Sequence, residues 1–188
     1  MDLRTWIASD LDSLGNRLAN GILSVIPHDR MTERVDGGGV APIYMVWHTA
    51  RHHDVSVNSV LRRAPQVLDD WADRVGLDGD VWRGLAEAED QELVSQLDAE
   101  SVNGYLMAVI ESTKQWVTTG DLSALDSTPD STSCLEEMGT PVDRFDWLYG
   151  MWSGKPGHFY LAWEAVGHGY NHLGELTAAR NRMGLSPF

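Results

Sequence analysis

Residues 158–184 read HFYLAWEAVGHGYNHLGELTAARNRMG, and this stretch decides the fold class. Apolar residues recur along it at spacings of three and four, the period of a helix. Gly184 supplies the stop. His168 and His172 lie one turn apart on one face, the spacing that lets two imidazoles share one metal ion. Polarity alone makes that face a solvent face, because it also carries Glu164, Asn171, Glu175 and Arg182. Two features argue otherwise. Leu161, Ala165, Leu176 and Ala179 share the histidine side. Gly167, Gly169 and Gly174 sit inside the helix, each costing about 1 kcal/mol against alanine, which implies close packing or close approach of a ligand.

Working outward, three more segments carry helical periodicity. Residues 9–26 place Leu11, Leu14, Leu18, Ile22, Val25 and Ile26 on one stripe, with Ser9 and Asp12 as a capping pair and Pro27 as the stop. A second helix is predicted from Pro42 to Arg63, holding Tyr44, Trp47, His48, His52 and His53. A third runs from Ala99 to Thr119 with Asp98 as N-cap, and Tyr105 and Trp116 on its stripe read as plain core. Residues 64–97 are broken by Pro65, Gly76 and Gly79, with short helical pieces over 67–74 and 81–97. Residues 120–157 read as a long loop or insertion whose aromatic second half, 145–152, packs back onto the domain. No alternating strand pattern appears. The expectation is one all-α domain over residues 1–188, a four-helix bundle with a long insertion between helices three and four.

Composition narrows the function. A formal net charge of −14 repels phosphate backbones and argues against nucleic-acid binding. No apolar run is long enough for a membrane span, and no signal-peptide core opens the chain. The single cysteine, Cys134, cannot form an internal disulfide, which fits a cytoplasmic location, and its polar surroundings read as an exposed, incidental thiol.

The second helix repeats the four-residue histidine spacing with His48 and His52. The stretch VGHGYNHLGEL (166–176), followed by Arg180 and Met183-Gly184, resembles the last helix of the DinB/YfiT-like superfamily. The stretch MVWHTARHHD (45–54) resembles that family's second helix, with His48 as the histidine and Asp54 six positions on. The resemblance implies a four-helix bundle holding a divalent metal ion through His48, His168 and His172. Some relatives place Glu first in the helix-four pair, so Glu164 with His168 is the alternative pairing. The family includes mycothiol-dependent maleylpyruvate isomerase and bacillithiol transferases.

Three imidazoles suit Zn or Ni, with Fe as a further option, over Mg or Ca. Three protein ligands leave a coordination position open. With no credible internal nucleophile, the expectation is a metal-dependent transferase acting on a small-molecule substrate with an external low-molecular-weight thiol. A metal-dependent hydrolase of a small amide or ester, and a non-catalytic metal-binding protein of stress response, are the alternatives. Tyr44, His52, Glu164, Asn171 and Glu175 are candidates for lining the pocket or orienting the ligands. The wide apolar face of Phe159, Trp163, Val166, Tyr170 and Leu173 leads to the expectation of a homodimer.

Overall fold

The computed structural model describes residues 2–187, and among them no residue lies in a strand. The chain is all-helical, as its periodicity predicts. Helix α1 spans Leu3–Leu18 and continues through a wider π-helical turn, Ala19–Leu23. It begins earlier than residue 9, because Asp2 rather than Ser9 caps it, accepting the Thr5 N–H at 2.8 Å. Helix α2 spans Pro42–Asp54, with Pro42 in the first turn, and runs on as a π segment over Val55–Leu61.

The stretch after it is only partly helical. A 3-10 turn, Val67–Asp70, leads into α3, Ala72–Val75, which stops at left-handed Gly76. Of the piece expected over 81–97, only α4, Gln91–Gln96, is helical, capped by Asp90. The preceding turns contain Gly79 and Gly84 at positive φ, a conformation that no helix accommodates. Helix α5, Ala99–Thr119, has the bounds and the Asp98 cap that the sequence predicts.

The expected loop over 120–157 is largely helical. It holds α6, Ser131–Glu137, capped by Asp130, and α7, Val142–Trp152. Helix α7 buries Phe145, Leu148 and Trp152 at helical spacing, so its aromatic half does pack back onto the domain. The last segment is continuous from α8, Gly157–Phe159, through a π segment, Tyr160–Gly167, into α9, His168–Arg182.

Four long segments make the frame. Helix α1 packs on α5 and α9, α2 packs on the same two, and the π segments after α2 and before α9 pack on each other. Leu11, Leu14 and Leu18 of α1 are buried in the shared core, each contributing roughly 2 kcal/mol by removal from water. The close packing implied by the glycines of the last helix is real at Gly169, where a Cβ would press on Leu14. Gly174 has open space around it, and nothing in the structure explains it. Buried Arg180 donates to the Gly21 carbonyl at 2.6 Å, tying α9 to the π segment that ends α1.

Helix α2 is the central element: every residue from Pro42 to Asp54 is buried. A helix buried all round leaves its polar side chains no water, so each must find a partner inside. Two polar clusters result. On one side, Asp54 accepts from Tyr105 (2.7 Å), from Asn58 (2.6 Å) and from the backbone N–H groups of Val67 and Leu68 (3.0 Å each). Arg51 donates to Tyr105, Gln66 and the Val81 carbonyl, each at 2.8 Å. Tyr105 is thus part of a buried polar network rather than plain core. The other cluster holds the histidines.

Candidate metal centre

His48 and His52 stand one turn apart on α2, facing His168 and His172, one turn apart on α9. The ring of His48 lies 5.0 Å from that of His168 and 4.9 Å from that of His172, and the latter two rings are 4.3 Å apart. One nitrogen from each of these three residues lies within 4.8 Å of the other two, so the set can hold a metal ion. All three side chains are buried.

Hydrogen bonds fix which nitrogens are available. His48 Nδ1 is 2.7 Å from the Gly84 carbonyl, which can only accept, so Nδ1 carries the hydrogen and Nε2 keeps a lone pair. That Nε2 is buried without a hydrogen-bond partner. His172 Nδ1 donates to the Glu175 carboxylate at 2.7 Å, again leaving Nε2 as the bare nitrogen. His172 Nε2 points at His168 Nε2 from 2.9 Å, and His168 Nδ1 has no partner. The 2.9 Å contact is a hydrogen bond between the two rings, and two nitrogens on one tetrahedral zinc ion at 2.0–2.1 Å stand about 3.3 Å apart, a few tenths of an ångström wider. Burial, with the neighbouring imidazoles second, holds His48 and His168 below the ordinary histidine value of 6.5. Both are therefore neutral near pH 7, the form that binds metal. Donor type, tautomer and the orphaned buried nitrogens all fit a divalent ion of the zinc class.

The residues expected around this set divide three ways. Glu175, itself exposed, orients His172. Tyr44 is buried, stacks on His48 with ring centres 6.1 Å apart, and shares its one hydroxyl hydrogen between the carbonyls of Ala86 and Ala88. Asn171 is exposed and makes none of these contacts. His52 and Glu164 are buried against each other, His52 Nδ1 lying 3.0 Å from Glu164 Oε2. His52 Nε2 meets the Leu85 carbonyl at 2.9 Å, and Glu164 Oε1 accepts from the Trp152 indole N–H at 2.8 Å. His52, Glu164 and His168 form a second set whose ligand atoms lie within 4.8 Å of one another. His53 turns away from both sets to pair with Thr113 of α5 at 2.9 Å.

Sequence reasoning missed four participants. Gly84 and Leu85 act through their carbonyls, which carry no side-chain signal. Glu87 brings a carboxylate oxygen to 3.6 Å from His48 Nε2. Trp147 stacks against His52 with ring centres 6.5 Å apart. Cys134 is buried rather than exposed: its thiol meets the Ser59 carbonyl at 3.2 Å, and burial pushes its pKa up to about 11. Beside the centre, on the other side of Tyr44 and Gly84, lies a cleft of about 570 Å³ walled by Trp82, Arg83, Arg144 and Phe145.

No family model, no curated protein and no solved structure matches the chain. The functional reading therefore rests on these residues. No helix among those described is long and apolar enough to cross a membrane.

Proposed function

We propose that the protein binds a divalent transition-metal ion through His48, His168 and His172 and is a metal-dependent transferase using an external low-molecular-weight thiol of the mycothiol or bacillithiol type. The observation that carries the metal reading is the convergence of three imidazoles from two helices, two of them with their ring hydrogens already committed to Gly84 and Glu175. Zn, Ni or Fe suits such a donor set better than Mg or Ca. When bound, the ion supplies Lewis acidity that lowers the pKa of an entering thiol or water.

The chain's own residues do the rest. The Gly84 carbonyl and Glu175 hold the imidazoles in orientation, and the Tyr44 ring flanks His48. Cys134, buried and protonated, offers no thiolate, so a thiol nucleophile must come from solution. The order of the long segments, with His48 on the second and the histidine pair on the fourth, supports a DinB/YfiT-like bundle as the finer description of the fold. The homodimer belongs to the same proposal, and its support is the outer face of the last segment, where Trp163 is 41% exposed. A monomeric mass by light scattering at micromolar concentration refutes it.

Glu87 favours a second reading. Its carboxylate stands near His48 Nε2, where it can take a proton from water as a hydrolase requires. Elemental analysis of the purified protein, followed by assays of the metal-loaded form on small electrophiles with and without thiols, separates the readings. Thiol-dependent turnover is the expected result. Metal-dependent turnover without thiol, lost in Glu87→Gln, assigns the hydrolase. Metal content without any turnover leaves a binding protein.

A further inference from the structure

His52 and Glu164 are held together across a cation. The Leu85 carbonyl takes the hydrogen of His52 Nε2, which leaves Nδ1 as the nitrogen turned to the carboxylate. Glu164 Oε2, an acceptor, faces that Nδ1 at 3.0 Å, so the contact is closed by a proton on Nδ1 or by a metal ion. Both side chains are 1% exposed, so bulk water does not reach the contact. The carboxylate is held in place from behind by the Trp152 indole N–H. Two buried acceptors held this close need a cation between them, a proton or a metal ion.

His168 completes the arrangement. Its Nε2 faces His172, and its Nδ1 is buried with no partner at all. Its ring lies 4.6 Å from that of His52. The backbone here is unusual too: Glu164, buried beside His52, sits in the π segment Tyr160–Gly167. Such turns recur at functional sites. Three carboxylates, those of Glu87, Glu164 and Glu175, touch the histidine cluster, the negative charge that two divalent ions would require.

From this we infer that the protein has a second cation position, formed by His52 Nδ1, Glu164 Oε2 and His168 Nδ1, so that His168 gives one ring nitrogen to each of two ions. The donor set of two imidazoles and one carboxylate again selects a zinc-like or cobalt-like ion. Holding both ions requires His168 to release its remaining ring hydrogen to solvent. The inference rests on the three-histidine reading for its first ion, and its second adds His52 and Glu164 to the shared His168.

The test is a metal count. The full chain is equilibrated with Co²⁺ or Zn²⁺, freed of loose metal by gel filtration, and analysed for metal per protein. Two ions per chain are expected, falling to one in Glu164→Gln and in His52→Asn, to one in His48→Ala, and to none in His168→Ala. A single ion in the unmodified protein overturns the second position, so the outcome does not depend on any variant folding. If that single ion is lost in His48→Ala and kept in Glu164→Gln, the three-histidine centre stands alone and the pair holds a proton. If it is lost in Glu164→Gln and kept in His48→Ala, the three-histidine reading falls as well. Two ions that persist in His168→Ala are surface ions, and they also overturn the proposal.

Discussion

Helix α2 carries two buried polar clusters, and they differ in how completely their hydrogen-bonding groups are matched. Around Asp54, donors and acceptors pair off: the carboxylate receives side-chain and backbone donors, and Arg51 reaches Tyr105, Gln66 and Val81, with only its Nε lacking a partner. Around His48, one turn or two away on the same helix, the same degree of burial coexists with ring nitrogens that have no partner, His48 Nε2 and His168 Nδ1. A matched cluster holds the fold together. An unmatched one is kept only if something else supplies the missing positive charge. The difference marks one side of the helix as structural and the other as the candidate site.

The largest effect expected from breaking this contrast is at Asp54. In Asp54→Ala the Arg51 charge loses its buried partner, and denaturation of the metal-free protein should show a loss of about 3–5 kcal/mol, enough to threaten folding. Next comes a pH effect at His53, which lies between the clusters. Burial lowers its pKa to about 4, below the ordinary 6.5 of the unfolded chain. The unfolded state therefore binds the extra proton between those values. Stability is complete above pH 6.5 and falls as the pH drops toward 4, by about 3 kcal/mol for this residue alone. His53→Gln should flatten that slope without abolishing it, since His48 and His168 are shifted in the same direction; urea titrations from pH 4 to 7 measure both curves.

His48→Ala should behave in the opposite way to Asp54→Ala. It should cost less stability than Asp54→Ala in the metal-free form, and weaken metal binding by about 100-fold or more, since loss of a mere orienting partner already costs 10–100-fold. Competition with a chromophoric chelator reads the affinity. The smallest effect belongs to Glu175→Gln, where an amide still accepts from His172 but without charge. About 10-fold weaker metal binding with an unchanged melting temperature is expected. Equal stability losses in Asp54→Ala and His48→Ala, with no change in metal content, would erase the contrast.

Much of the frame was legible in the sequence because its signals are local. Asp98 caps α5 where a short acidic residue before an apolar stripe should, and Pro42 opens α2. The spacing of His168 and His172 survives directly in the structure as two nitrogens 2.9 Å apart. What escaped was non-local or short. Helix α7 announces itself only through Phe145, Leu148 and Trp152, three residues inside a stretch dominated by loop formers. Glu164 reads as a surface carboxylate because its face is polar, and its burial appears only once His52 and Trp152 pack against it. Asp54 was visible only as an acidic residue six positions after His48, and its role appears once Val67, Leu68 and Tyr105 fold around it.

The carbonyls of Gly84 and Leu85 have a consequence for how this protein tolerates change. They set the ring hydrogens of His48 and His52, and an acceptor made of main chain cannot be deleted by substitution; it can only be displaced. Drift in the neighbouring side chains therefore leaves both tautomers as they are. The vulnerable point is Gly84: its φ is +95°, and a Cβ there would collide with the Trp47 indole. In saturation mutagenesis of this turn, apolar exchanges at buried Leu85 should pass, while every replacement of Gly84 should displace the carbonyl that fixes the tautomer of the buried His48 ring.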